Sequence, residues 1–501
     1  MVGRNFLVNA AGRIWNAALG FLVVPVIVRL LGVESYGLVA FYVTLTIAVN
    51  LLDLGFTATM NRQMARFAAV TDKDGEARDF AHSMQVIYWA IGIVLGALIV
   101  LLAPWISAQW LTAGALSEVA VMRAVAMMGV LVALEWPITM YGGGLIGLER
   151  QVVFNVLSTT VATLRNAGAV AVLWFFTGNV ETYFRWQLIA SLCASCSFLF
   201  AFWRCMPRGQ RPLRFVPALL RPSVRFAAGM SVSSILAFVA SNVDKILLSR
   251  VLPLVEFGYY NIGYQVSNAT RMLPSAVVSA VLPRLTVGFA RGDIASVAKL
   301  YHAATQLMIA IVVPTSAVLV VYMPEIISMW TGSTEIAGQV WLTASLLVIG
   351  SAINSIVSVP YYLSVAQGWS AFGAIQNTVA VIIVTPLMIF LVYKFGGNGA
   401  AATWVLLNTG YLLISPVVIM RRMLSGELRA WYLIDVFMPS LLAVVVAVVG
   451  RMLSTSTTSV FVVAAAILAT WIAANLACLA ALPELSRWLR ASAVRYIRRV
   501  P

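Results

Sequence analysis

Residues 5–31, NFLVNAAGRIWNAALGFLVVPVIVRLL, decide the fold class. The stretch offers the roughly 20 mostly apolar residues that cross about 30 Å of hydrocarbon. Inside it recur Asn5, Asn9, Arg13 and Asn16, which at helical spacing fall within about 80° of circumference. A charge is costly in hydrocarbon, so a helix with such a stripe sits in a membrane and turns the stripe toward protein or water.

The rest of the chain extends this reading. Of 501 residues, 61% are hydrophobic and 10% charged, and the mean hydropathy is +0.93. A soluble domain would carry about a quarter charged residues. Fourteen spans are read near 6–28, 36–58, 83–106, 121–144, 152–176, 186–204, 226–250, 258–283, 303–323, 340–363, 370–394, 399–420, 435–453 and 460–482. The fold class is therefore an all-α polytopic membrane protein, and the loops leave no room for a soluble catalytic domain. The first span is too long for a signal-peptide core and shows no small-residue cleavage site, so it is read as retained.

Basic residues set the orientation. With both termini cytoplasmic, 23 of the 33 Lys and Arg fall on the inner side and five on the outer side or its boundary. The net charge of +15 follows from this bias and from attraction to anionic lipid headgroups, with no need of nucleic acid. The basic stretch 204–225, punctuated by Pro207, Pro212, Pro217 and Pro222, reads as a connector between halves.

An internal repeat supports those halves. Arg29-Leu30-Leu31 leads to Tyr36-Gly37, and Arg250-Val251-Leu252 leads to Phe257-Gly258, an offset of 221 residues without a gap. Six spans separate the two, so the halves share one membrane orientation, a parallel-repeat transporter plan. The expected organisation is an N-lobe over 1–205 (spans 1–6), a cytoplasmic connector over 206–225, a C-lobe over 226–420 (spans 7–12), and a final segment, 421–501, holding spans 13–14 and a basic tail. Gly92 and Gly96 form a GxxxG in span three, which predicts close helix packing.

Two more spans carry an arginine in a polar stripe. Span five has Asn155, Ser158, Thr159, Arg165 and Asn166, and span eight has Asn261, Tyr264, Gln265, Asn268, Arg271 and Ser275. Intramembrane carboxylates are fewer: Asp53, Glu135 and Asp244, the last beside Lys245. They serve either as interhelical ties or as ion-coupling or gating sites. Arg13, Arg165, Arg271 and Lys245 outnumber them, and a surplus buried cation calls for water or an anionic ligand. Cys193 and Cys196 form a CxxC inside apolar span six and read as small buried residues, with no metal site; His82 and His302 read as interface residues of no special role. No phosphate-cradling Walker loop and no nucleophile–base constellation occurs, so neither ATP binding nor enzymatic catalysis is expected of this chain.

The opening segment resembles a known family. Gly12-Arg13, Pro25, Arg29-Leu30-Leu31-Gly32, Tyr36-Gly37 and Asp53-Leu54-Gly55-Phe56 look like the polysaccharide-repeat flippases of the Wzx type. So do Asn242-Val243-Asp244-Lys245-Ile246 and Phe257-Gly258-Tyr259-Tyr260. The resemblance implies the multidrug/oligosaccharidyl-lipid/polysaccharide exporter fold, two six-helix lobes in a V around a central cavity plus two C-terminal helices. It also implies a flippase for undecaprenyl-pyrophosphate-linked oligosaccharide, such as an O-antigen or exopolysaccharide repeat unit, in a bacterial inner membrane. Arg13, Arg165 and Arg271, with Lys245 further out, are then expected to hold the pyrophosphate and acidic sugars. Asn9, Asn16, Asn261, Tyr264 and Asn268 are expected to bond sugar hydroxyls. Arginine suits phosphate because its planar fork is bidentate and stays charged. No cofactor is expected, a proton or sodium ion is left open as coupling ion, and a monomer among membrane lipids is the expected state, with polysaccharide assembly partners left open. A peptidoglycan-precursor flippase and a multidrug exporter of the same superfamily remain alternatives. A membrane-bound polymerase or ligase is disfavoured because the longest outer connection is about 15 residues.

Overall fold

In the computed structural model, the described residues are 2–53, 55–69, 74–176, 178–207, 212–220, 242–454, 459–483 and 485, with the side chains of 2–11, 13, 220, 272, 273, 275, 276 and 370 left out of the description. They divide into two compact units, Met1–Gly258 and Tyr259–Pro501.

Unit 1 contains α1 (Val2–Leu31), α2 (Val33–Asn50), α3 (Phe56–Ala68), α4 (Asp74–Trp105), α5 (Glu118–Gly147), α6 (Gln151–Phe175), α7 (Val180–Cys205) and α8 (242–251). The helix α9 (Leu254–Thr270) begins at its edge. Unit 2 continues with α10 (Met272–Ala290), α11 (Ile294–Val321), α12 (Met323–Thr331), α13 (Thr334–Ala366), α14 (Ser370–Met423), α15 (Leu428–Leu453) and α16 (Val460–Ala480). Eleven helices among the described residues are long and apolar enough to cross a membrane. Each buries its side chains incompletely because lipid can cover the remainder. Ile382, Phe390, Leu413, Ile414 and Phe461 are all exposed on the protein surface.

Several sequence expectations change in detail. Span 36–58 is shorter than expected: α2 ends at Asn50, a 3-10 turn covers Leu51–Asp53, and α3 starts anew at Phe56. Gly55 makes that corner at φ 84°, a left-handed conformation that favours glycine. The expected single span 258–283 is two helices, α9 and α10, parted at Arg271. Pro274 supplies the reason, since it has no N–H to offer the carbonyl of Thr270, where α9 ends. Span 121–144, by contrast, is one unbroken helix despite Pro137. Spans 370–394 and 399–420 fall within α14, whose Gly396 is non-helical at φ 56°, ψ −135°. At 1.5 Å per residue α14 is far longer than one membrane crossing, so this break lets it serve as two spans. The described part of span 226–250 is 242–251, and the connector arginines 208, 211, 221 and 225 lie outside the described residues.

The glycine motif does what its spacing predicts. A Cβ on Gly96 would stand 2.5 Å from the Gly129 carbonyl oxygen, and one on Gly129 would stand 2.7 Å from the Gly96 carbonyl oxygen. The backbones of α4 and α5 therefore touch at these positions. Gly92 lies against the Ala133 carbonyl, the one freed by Pro137.

The two segments that the sequence pairs by offset touch within unit 1. A Cβ on Gly37 would overlap the carbonyl of Leu254, and one on Gly258 would stand 2.5 Å from the carbonyl oxygen of Val33. Val33 and Leu254 carry the same 221-residue offset as the two glycines, so the contact is reciprocal, as in a two-fold interface. A strap over 110–116 reinforces it. Glu34 accepts the backbone N–H groups of Gly114 and Ala115 at 2.6 and 2.9 Å, and the Leu254 N–H donates to the Thr112 carbonyl at 2.9 Å.

Candidate functional site

Unit 1 has an open cavity of about 820 Å³ whose lining includes Asn50, Asp53, Asn61, Glu135, Arg165 and Asn166. Asp53 and Glu135, widely separated in sequence, thus reach one space, together with one of the three stripe arginines.

Glu135 is projected from α5 and Arg165 from α6. Arg165 Nη2 lies 2.8 Å from Glu135 Oε1 and donates to Ser191 Oγ at 3.0 Å. Glu135 Oε1 also accepts from Tyr42 Oη at 2.6 Å and from Ser191 Oγ at 2.9 Å. One carboxylate oxygen therefore gathers α2, α6 and α7 onto α5. Charge-assisted bonds of this kind are stronger than neutral ones. The other face of the pair meets the cavity: side-chain exposures are 24% for Arg165 and 14% for Glu135. Arg165 Nε is buried without a hydrogen-bond partner among the described residues.

Asp53 ends the 3-10 turn and caps α3. Its Oδ2 accepts the Thr57 N–H at 3.1 Å, and its Oδ1 accepts from Thr57 Oγ1 at 2.8 Å and Tyr88 Oη at 2.6 Å. No ion pair to Asp53 occurs among the described residues, so hydrogen bonds alone hold it. Tyr88→Phe removes one of them and is expected to destabilise the protein by about 0.5–1.5 kcal/mol, read as a lower thermal midpoint of the solubilised protein.

The remaining candidates differ in burial. Lys245, 3% exposed, stands 3.6 Å from Asp244 Oδ2. Asn261 is buried in α9, Tyr264 half-buried, and Asn268 and Arg271 are exposed. Arg271 lies over the indole of Trp404, 5.7 Å from the ring centroid. No carboxylate is within ion-pair distance of it among the described residues. Trp404 in turn donates from Nε1 to Ser351 Oγ at 3.2 Å, and its ring occupies the space left by the missing side chain of Gly350. Asn16 Oδ1 is buried without a partner among the described residues. The side chains of Asn9 and Arg13 lie outside the described residues.

Of the cations counted in the sequence, Arg165 and Lys245 each have a carboxylate in the folded chain, whereas Arg271 has none within ion-pair distance among the described residues. Sequence reasoning missed Tyr42, Tyr88, Ser191 and Trp404. A lone hydroxyl in an apolar run gives no periodic signal; the usable cue was that a buried tyrosine oxygen needs a partner. Cys193 and Cys196, expected to be buried, are exposed. On a helix that faces lipid, a small apolar thiol is as well placed outward as inward.

Both the sequence and the fold are matched in known proteins. The model of a family described as polysaccharide biosynthesis protein matches residues 2–289. The chain belongs to that family. A Shigella flexneri protein named as an O-antigen transporter is 20% identical over 387 residues, covering 77% of this chain and 89% of that protein. The succinoglycan biosynthesis transport protein ExoT of Rhizobium meliloti (strain 1021) is 25% identical over 410 residues, covering 76% of this chain and 74% of that protein. Among solved structures, the lipid II flippase MurJ in an inward closed conformation superposes with a TM-score of 0.72 at 13% identity, over 95% of this chain and 97% of that one. At that identity the likeness establishes the fold, which is that of a membrane transporter. The family member described here thus has a transporter architecture, and its relatives are named for transport.

Proposed function

We propose that this chain is a flippase that moves a polyprenyl-pyrophosphate-linked oligosaccharide repeat unit across a bacterial inner membrane. The observation that carries the reading is Arg271. It sits exposed at the break between α9 and α10, stacked on Trp404, with no carboxylate in ion-pair range among the described residues. Interrupted membrane helices are where transporters place substrate groups. A guanidinium left without a protein counter-charge there suits a pyrophosphate, which it can hold bidentately. Family membership and the relatives' names support a saccharide as the cargo, and the exposed amide of Asn268 one turn from Arg271 suits its hydroxyls. Asp53 and Glu135 are the proposed sites for a coupling proton or sodium ion, because both carboxylates reach the same cavity.

The test replaces the native gene with variants and measures flipping normalised to protein abundance, through accumulation of the lipid-linked intermediate on the inner leaflet. Losing one charged contact is worth on the order of 1.5–3 kcal/mol. Arg271→Ala should therefore cut flipping about tenfold or more at normal abundance, with Arg271→Lys recovering part of it. Wild-type flipping by both would remove the proposal. The chemical identity of the accumulated lipid separates an oligosaccharide repeat from a peptidoglycan precursor, which would present the same pyrophosphate.

A further inference from the structure

Unit 2 holds a histidine clamped between two carboxylates, away from any residue assigned above. His302 on α11 bonds through Nδ1 to Asp435, and its Nε2 stands 3.2 Å from Glu427 Oε2. Asp435 is 2% exposed and accepts a second hydrogen bond from Gln306 Nε2 at 2.7 Å. Gln306, itself buried, accepts the Leu485 N–H at 3.0 Å through Oε1. Beside them, buried Trp431 donates from Nε1 to Thr305 Oγ1 at 3.0 Å. Asp435 and Trp431 belong to a π-helical turn, Trp431–Phe437, inside α15. Such turns are rare and concentrate at functional positions.

The geometry constrains the protonation state. A neutral imidazole has one N–H and one lone pair, so it can donate to one carboxylate and must turn its lone pair on the other. Both ring nitrogens here face carboxylate oxygens, which is the arrangement of the doubly protonated ring. The other titratable groups at the cluster are the phenols of Tyr301, which donates to Met420 Sδ, and Tyr432, which donates to the Leu412 carbonyl. The thiol of Cys478 lies in the same apolar core. No titratable side chain of α10, α13 or α16 bonds to the cluster, and no Lys or Arg pairs with Asp435 or Glu427, among the described residues. The imidazolium is thus the positive charge available to a buried carboxylate, and without it Asp435 would be left uncompensated.

We propose that His302, Asp435 and Glu427 form a proton-binding site that holds the π-helical start of α15 against α11. One proton on the ring docks the segment, and its departure releases it. Glu427, 44% exposed at its side chain, is the member that exchanges the proton with solvent.

The chain has two histidines, His82 and His302, so His82→Gln leaves one ring to observe. Full-length protein in lipid nanodiscs, labelled at histidine Cε1 with carbon-13, would be titrated from about pH 5 to about pH 8 and above, the range in which histidine switches. Backbone hydrogen exchange over 428–437 would be followed in parallel, corrected for the intrinsic pH dependence. The expected result is one ring titration coincident with a loss of protection of about tenfold or more over 428–437. His302→Gln should abolish that pH dependence. Glu427→Gln, a rim substitution that keeps the Asp435 contact and does not depend on refolding the core, should displace the release to lower pH. A ring that keeps one charge state throughout, exchange over 428–437 that ignores pH, or unchanged release in Glu427→Gln would each overturn the proposal.

Discussion

Glu135→Ala is expected to destabilise the protein by about 3 kcal/mol, the lower end of what removing one partner of a buried ion pair costs. The lower end applies because the pair borders the cavity, where water can reach part of the exposed charge. The loss arises mostly from what remains. Arg165 would keep its charge with Ser191 as its named polar neighbour, and Tyr42 would lose its acceptor. Glu135→Ala should therefore lower membrane abundance and the thermal midpoint, and Glu135→Leu with Arg165→Met should restore much of both. The double variant also separates two roles. If it regains abundance but not flipping, the pair acts in transport; if it regains both, the pair is a tie between α5 and α6. A stable, abundant Glu135→Ala protein would show that cavity water already solvates Arg165.

Gly96→Ala and Gly129→Ala should each cost about 1–3 kcal/mol, the range for forcing extra atoms into a packed interior. At both positions the obstacle is a backbone carbonyl, 2.5 Å away for Gly96 and 2.7 Å for Gly129, and a carbonyl cannot swing aside as a side chain can. Gly92→Ala meets its nearest atoms at 3.1 and 3.2 Å and should cost less. Gly338→Ala, with nothing within 4 Å, should be neutral or slightly stabilising because alanine favours helix. Thermal unfolding of the four variants should follow that order. Equal effects at Gly96 and Gly338 would contradict the close approach of α4 and α5.

These positions show what the sequence made legible. Gly92 and Gly96 announced a helix contact because a small-residue spacing of four is local. Apolar length located the helices for a similar reason. The break at Arg271 was readable in principle from Pro274, but Gly and Pro interruptions do not say where a helix yields; Pro137 leaves α5 intact. Pairing is a different matter. Nothing near Glu135 in the chain points to Arg165 or Tyr42, and nothing near His302 points to Asp435, 133 residues away. A lone histidine in an apolar run looks inert until the fold brings carboxylates to both its nitrogens. The folded chain compensates Arg165 and Lys245, which leaves Arg271 as the informative cation among those whose side chains are described.

The reciprocal contact of Gly37 with Leu254 and Gly258 with Val33 restricts how these two segments of the chain can diverge. In a dimer of identical subunits, one substitution alters both copies of a two-fold contact together. Here the two copies are separate codons, and a side chain gained at either one wedges apart the same pair of backbone segments. Once Gly37→Ala has opened that gap, Gly258→Ala finds room already made, so the two changes should not add. Sequence drift in one segment is thus limited by the other at this point, although the surrounding helices are free to specialise.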